Sequence, residues 1–140
     1  MDHPTAQKVR RKGDWTGAAD RCTLAYEDRV LRRRMLVTDG GRRVLADLPQ
    51  ATALDHGDAL ELADGGLIAI HAAAEALLEI TGGDLVRIAW HIGNRHAPCQ
   101  IGAGRLLIRR DRVLGDMLAG LGATLREVAE PFAPEGGAYG

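Results

Sequence analysis

The 140-residue sequence holds only two cysteines, Cys22 and Cys99, and neither belongs to a CxxC pair. A disulfide framework is excluded, and a reducing compartment fits best. Long apolar runs are missing as well: no stretch approaches the roughly 18 consecutive apolar residues of a membrane span. The first twenty residues carry Lys8, Arg10, Arg11 and Lys12 with no apolar core of a secretory leader, so the expected location is the cytoplasm, away from membranes. There is no excess of charge, since 18 Lys and Arg meet 19 Asp and Glu for a net −1. No overall field draws the molecule to nucleic acid or anionic lipid. A phosphate-binding glycine loop, a GxGxxG turn and a Ser/His/Asp arrangement with local context are all absent, so the chain shows no catalytic machinery and is not expected to be an enzyme.

What is present suits folding. Hydrophobic residues make up 46% and charged residues 26% of a 15.0 kDa chain, which fits one domain or two very small ones. Charge is unevenly spread: residues 1–50 sum to +4, residues 51–84 hold seven acids and no base, and residues 85–140 sum to +2. Residues 1–20 read as a loose polar lead-in to a first strand near Arg21–Tyr26. Val30–Thr38 and Arg42–Leu48 flank Asp39-Gly40-Gly41 as a hairpin, with Pro49 closing the second run. Asp58–Ala63 and Leu67–His71 flank Asp64-Gly65-Gly66 in the same way, so the first half is expected to be all β.

The pattern changes across the alanine-rich stretch 72–76. Leu77–Thr81 suits a strand. Asp84 then stands as an N-cap before Leu85, Ile88, Ala89 and Ile92, one apolar helical face, in a helix that Pro98 ends no later than Ala97. Cys99–Gly102 and Arg105–Ile108 flank Ala103-Gly104 as a hairpin. Asp111 caps a second helix with Val113, Leu114, Met117, Leu118 and Leu121 on its face, and Leu125–Ala129 is a last strand. The order β-α-β-β-α-β is the ferredoxin-like one. The expectation is an α+β chain: an N-terminal β domain (residues 1–74), a ferredoxin-like domain (75–130) and a C-terminal tail (131–140).

The segment Trp90-His91-Ile92-Gly93-Asn94-Arg95-His96-Ala97-Pro98-Cys99 gathers two of the five histidines and one of the two cysteines. If the helix runs through both imidazoles, His96 continues the apolar face and His91 points about 140° away, so the two cannot chelate one ion. The ordinary reading of a lone imidazole on an apolar stripe is a core histidine bonded to a carbonyl. A metal is the alternative, because imidazole is a favoured nitrogen ligand for nickel, copper and zinc. The last helical turn favours a cation, and a C₂ dimer would present the same histidine twice. Cys99, three residues on, reads as a packing thiol before a nucleophile. Arg32-Arg33-Arg34 with Arg42 and Arg43 form a basic cluster whose only nearby aromatic is Tyr26, which argues for a solvated or protein-docking face over an RNA platform. Arg109, Arg110 and Arg112 at the second helix start leave phosphate or carboxylate docking open. His3, His56 and His71 read as surface residues.

Gly93-Asn94-Arg95-His96, followed by Pro98 and Gln100-Ile101, then Asp111-Arg-Val-Leu-Gly-Asp-Met-Leu118 and Leu121-Gly122, resembles the urease accessory protein UreE family of nickel metallochaperones. Asp39-Gly40-Gly41, Asp47-Leu48-Pro49, Gly57-Asp58-Ala59-Leu60 and the closing Pro131-Phe-Ala-Pro-Glu-Gly-Gly-Ala-Tyr139 fall in the family's order, so the resemblance covers residues 20–140. It implies a peptide-binding-like β domain joined to a ferredoxin-like metal-binding domain, with dimerisation through the latter. It also implies that His96 is the interface nickel ligand, and that Ni²⁺ is carried for urease assembly with the GTPase UreG and the urease apoprotein bearing the other accessory proteins. Zn²⁺ and Cu²⁺ suit the same nitrogens. Many relatives carry histidines where this chain has Arg110 and Arg112, and many end in a histidine-rich tail not found before Gly140. Arginine cannot ligate a metal. The competing expectation is a ferredoxin-like regulatory or interaction module with a packed His96, and a thiol enzyme using Cys99 comes third.

Overall fold

The computed structural model describes residues 3–136, in two compact units that divide between Ala73 and Ala74. Gly137, Ala138 and Tyr139 of the quoted closing segment lie outside the described residues.

The first unit is one mixed six-stranded sheet. Its elements are β1 (Thr5–Arg10), β2 (Asp20–Leu24), a short 3₁₀ turn (Tyr26–Arg29), β3 (Val30–Val37), β4 (Arg43–Ala53), β5 (Ala59–Leu62) and β6 (Leu67–Ala72), with strand order β2-β6-β5-β1-β4-β3. Both glycine-bearing turns close hairpins, β3 to β4 and β5 to β6. The core follows the two-residue strand period, with Val44, Ala46 and Leu48 from β4 against Leu31, Leu36, Leu60, Ile68 and Ile70.

Three expectations need correction here. The lead-in is not loose: β1 lies inside the sheet, parallel to β4 and antiparallel to β5. It buries only Ala6 and part of Val9, too little apolar periodicity to read as a strand, and its register shifts between Ala6 and Lys8. Pro49 does not end β4, which continues to Ala53. The proline falls where the β3–β4 register jumps from Arg33↔Asp47 to Leu31↔Thr52, so its missing amide interrupts no regular ladder. The strand near Arg21–Tyr26 is Asp20–Leu24, and Tyr26 opens the 3₁₀ turn.

Carboxylates fasten the unit where the ladders stop. Asp39 accepts the Thr23 hydroxyl at 2.7 Å and the Arg21 Nε–H at 2.9 Å, tying the β3–β4 turn to β2. These bonds, the hydroxyl foremost, hold its pKa below the ordinary carboxylate value. Asp58 is 2% exposed and accepts the Arg11 guanidinium at 2.8 Å, the Lys12 amide at 2.9 Å and the Asp55 amide at 2.8 Å.

The second unit runs β7 (Ala74–Thr81), α1 (Leu85–Asn94), β8 (Gln100–Gly102), β9 (Arg105–Arg109), α2 (Arg112–Gly120) and β10 (Thr124–Pro131). The four strands form an antiparallel sheet in the order β10-β7-β9-β8. The β-α-β-β-α-β succession is the expected one. Ile88 and Ile92 of α1 and Leu114 and Leu118 of α2 pack on Ile80, Leu106 and Ile108. Both caps form: Asp84 accepts the Arg87 amide at 3.2 Å, and Asp111 accepts the Leu114 amide at 3.0 Å. Val113 is a correction, since it is 72% exposed. The buried face of α2 is Leu114, Gly115 and Leu118, with Gly115 set close to Leu78 and Leu125. Among the described residues no helix is long and apolar enough to cross a membrane.

Replacing Asp58 by Ala strands the Lys12 and Asp55 amides and takes one acceptor from the Arg11 guanidinium, which keeps Ala53 O. Urea unfolding of the variant is expected to show a loss of about 2–3 kcal/mol, whereas a surface aspartate replacement at Asp64 stays within about 0.5 kcal/mol.

Candidate metal centre

Helix α1 ends within the limit that Pro98 sets, before it reaches His96. α1 stops at Asn94, Arg95 is its C-cap, and His96 adopts φ 58°, the only positive φ at a non-glycine residue among the described ones. The His96 amide donates to Gly93 O at 2.9 Å and the Ala97 amide donates to Ile92 O at 3.3 Å. These are the paired bonds of a left-handed helix stop, and Ala97 packs beside Ile92 in the core as such a stop requires. α2 closes identically, with Gly122 (φ 93°) bonded to Ala119 O at 3.0 Å and Ala123 bonded to Leu118 O at 3.1 Å. One helix thus uses glycine at the left-handed position and the other uses histidine, whose Cβ makes that conformation costly.

Two consequences follow for His96. It does not continue the apolar face within the helix, and it is not a core histidine: the residue is exposed just past the α1 carbonyl end, where unpaired carbonyls favour a cation. Along its outer side α1 presents Val86 (83% exposed) and Trp90 (62% exposed), one turn apart and away from Ile88 and Ile92. Gly93 continues this outer stripe and has nothing within 4 Å of where a Cβ would lie. His91 stays within the helix, its ring edge-to-face with Trp90 at 5.1 Å. Among the described residues no three His, Cys, Asp or Glu side chains converge on a common point, so one chain offers His96 as a single imidazole.

The remaining candidates resolve into structural parts. Cys99 is half-buried against the core, and burial first, then Glu135, pushes its thiol pKa up, the opposite of what an activated nucleophile needs. Cys22 lies in the first unit's core, raised to about 11 chiefly by burial. Arg32 and Arg33 each reach Asp47 at 2.9 Å and Arg34 reaches Asp28 at 2.8 Å, so the basic cluster is largely paired. His56 accepts the Ala72 amide on Nδ1 at 3.1 Å and meets the His71 ring at 4.9 Å. Arg110 donates to Leu77 O at 3.1 Å and Val128 O at 3.0 Å, two carbonyls on one rung of the β7–β10 ladder. That use was hidden in the sequence, because it depends on which strands lie side by side.

The family model described as UreE urease accessory protein, N-terminal domain, matches residues 3–73, and that of the C-terminal domain matches residues 75–140. The chain belongs to the UreE urease accessory protein family. The urease accessory protein UreE of Ruegeria pomeroyi is 60% identical over 140 residues, covering 100% of this chain and 94% of the relative. Those of Cereibacter sphaeroides and Rhodobacter capsulatus are 54% and 53% identical, over 98% and 96% of this chain and 75% and 86% of theirs.

In this UreE chain the two helix stops form an internal control. His96→Gly relieves the left-handed strain and is expected to raise stability by about 0.5–1 kcal/mol. Gly122→Ala, with open space around the added Cβ, is expected to lower it by about 1 kcal/mol. Thermal unfolding of the two variants, moving in opposite directions, checks the assignment.

Proposed function

We propose that this UreE chain is a nickel metallochaperone: a homodimer that takes up about one Ni²⁺ between its subunits through His96 of each, and releases it for urease active-site assembly. The observation that carries the reading is an exposed imidazole held in a costly left-handed turn at the end of a helix. Strained residues of this kind persist at functional sites. A lone imidazole holds a metal poorly, and a two-fold axis beside the helix end doubles it while covering an apolar stripe that one chain leaves in water. Two imidazoles leave coordination positions to water or mobile donors, which suits an ion that must be passed on.

In this reading the C-terminal unit is a ferredoxin-like metal-binding domain, in keeping with its strand order β10-β7-β9-β8, and it carries the dimer contact. Residues 1–74 form the peptide-binding-like domain, 75–130 the metal-binding domain and 131–140 its tail. The partners are UreG and the urease apoprotein with its other accessory proteins, in the cytoplasm. The protein is a carrier and not an enzyme; nickel is its cargo, and zinc and copper compete for the same nitrogens. Arg110, committed to two backbone carbonyls, leaves no auxiliary metal site at that position.

Isothermal titration decides the ligand. His96→Ala is expected to abolish tight nickel uptake while the dimer persists, and undiminished stoichiometry would reject the assignment. Because a ligating imidazole must be unprotonated, uptake by the native chain should weaken on acidification. For the dimer, Trp90→Glu places a charge on the apolar stripe. Light scattering at micromolar concentration should then report monomers, with tight nickel uptake lost alongside; an intact dimer would move the interface elsewhere.

A further inference from the structure

A left-handed histidine persists only if the chain on both sides of it is fixed. On the helix side, the paired bonds to Gly93 and Ile92 do this. On the other side the support comes from far along the sequence. β8 is an edge strand, and the segment after β10 returns to the start of it. There the Ala133 amide donates to Gln100 Oε1 at 2.8 Å, and the Glu135 amide donates to Cys99 O at 2.8 Å. The segment is itself anchored by Phe132, which is fully buried and has the Arg109 guanidinium 5.8 Å from its ring centre. Between His96 and this clasp lie only Ala97, packed in the core, and Pro98, whose φ is set by its ring. Each residue from 97 to 100 is therefore held by packing, by its ring or by a bond.

We propose that Gln100 is a positioning residue for His96: its side-chain carbonyl clasps the 132–136 segment, and the clasp keeps the histidine turn in its binding conformation. The proposal rests on the reading of His96 as the nickel ligand. Gln100 touches no metal. It acts by limiting the conformations open to the turn in the empty protein, so that little ordering is left to be done when nickel arrives.

The full-length chain tests this with nickel alone as probe. Gln100→Ala removes the acceptor and is expected to weaken nickel binding about tenfold, on the scale of one lost hydrogen bond, with faster amide exchange at His96 and Ala97. Gln100→Glu keeps an acceptor oxygen and should restore affinity to within about twofold. Ala133→Pro deletes the donor without touching Gln100 and should reproduce the loss, and the double variant Gln100→Ala/Ala133→Pro should bind no worse than either single one. Native affinity in Gln100→Ala alongside loss in His96→Ala would overturn the positioning role alone, as would unchanged exchange at His96 and Ala97. Undiminished nickel uptake by His96→Ala would overturn the ligand assignment and the positioning role with it.

Discussion

The C-terminal unit is organised around a backbone conformation that its side chain disfavours. At position 96 the chain must leave α1 through a left-handed turn, and the equivalent turn after α2 is made by glycine. Histidine there sacrifices a fraction of the unit's stability and places an exposed imidazole just past the helix's carbonyl end. The turn survives because it is determined twice, by paired bonds to the preceding helix and by the core packing of Ala97. A side chain displayed on such a turn is exposed without its backbone being loose.

Packing decides what α1 shows to solvent. Ile88 and Ile92 fix the helix roll against Ile80, Leu106 and Ile108, so Val86 and Trp90 face outward on the same helix that ends in His96. The charged residues that looked available for ligands serve the scaffold instead. Arg110 bridges two strand carbonyls, Arg105 joins Glu79 and Glu130, and Arg32 and Arg33 share Asp47. Arg105 and Arg126 hold Glu79 below the ordinary carboxylate range, as close guanidinium partners do.

Features coded within a few residues were legible in the sequence. The hairpin turns, the caps Asp84 and Asp111, the Ile88 and Ile92 stripe and the change of pattern across residues 72–76 are all local signals. β1 escaped because a strand paired on both sides needs few large apolar residues of its own, and Ala6 and Val9 supply little contrast. Pro49 misled because a break in register accommodates it, and that break is a property of two strands together. Pro98 bounded the end of α1 correctly but did not place it at Asn94, because histidine lacks the usual signature of a left-handed stop, which glycine supplies plainly after α2.

By itself the sequence determined the alternation of strands and helices, the family, and the presence of one distinctive imidazole after a helix, since periodicity, capping and motif order are written along the chain. Only the tertiary structure decided that this imidazole is solvent-facing, that Arg110 serves a strand pair, and that residues 132–136 return to clasp Gln100. Those facts depend on distances between residues far apart in sequence, 33 positions in the case of Gln100 and Ala133, and no local pattern encodes which distant groups the fold will bring within reach of a hydrogen bond.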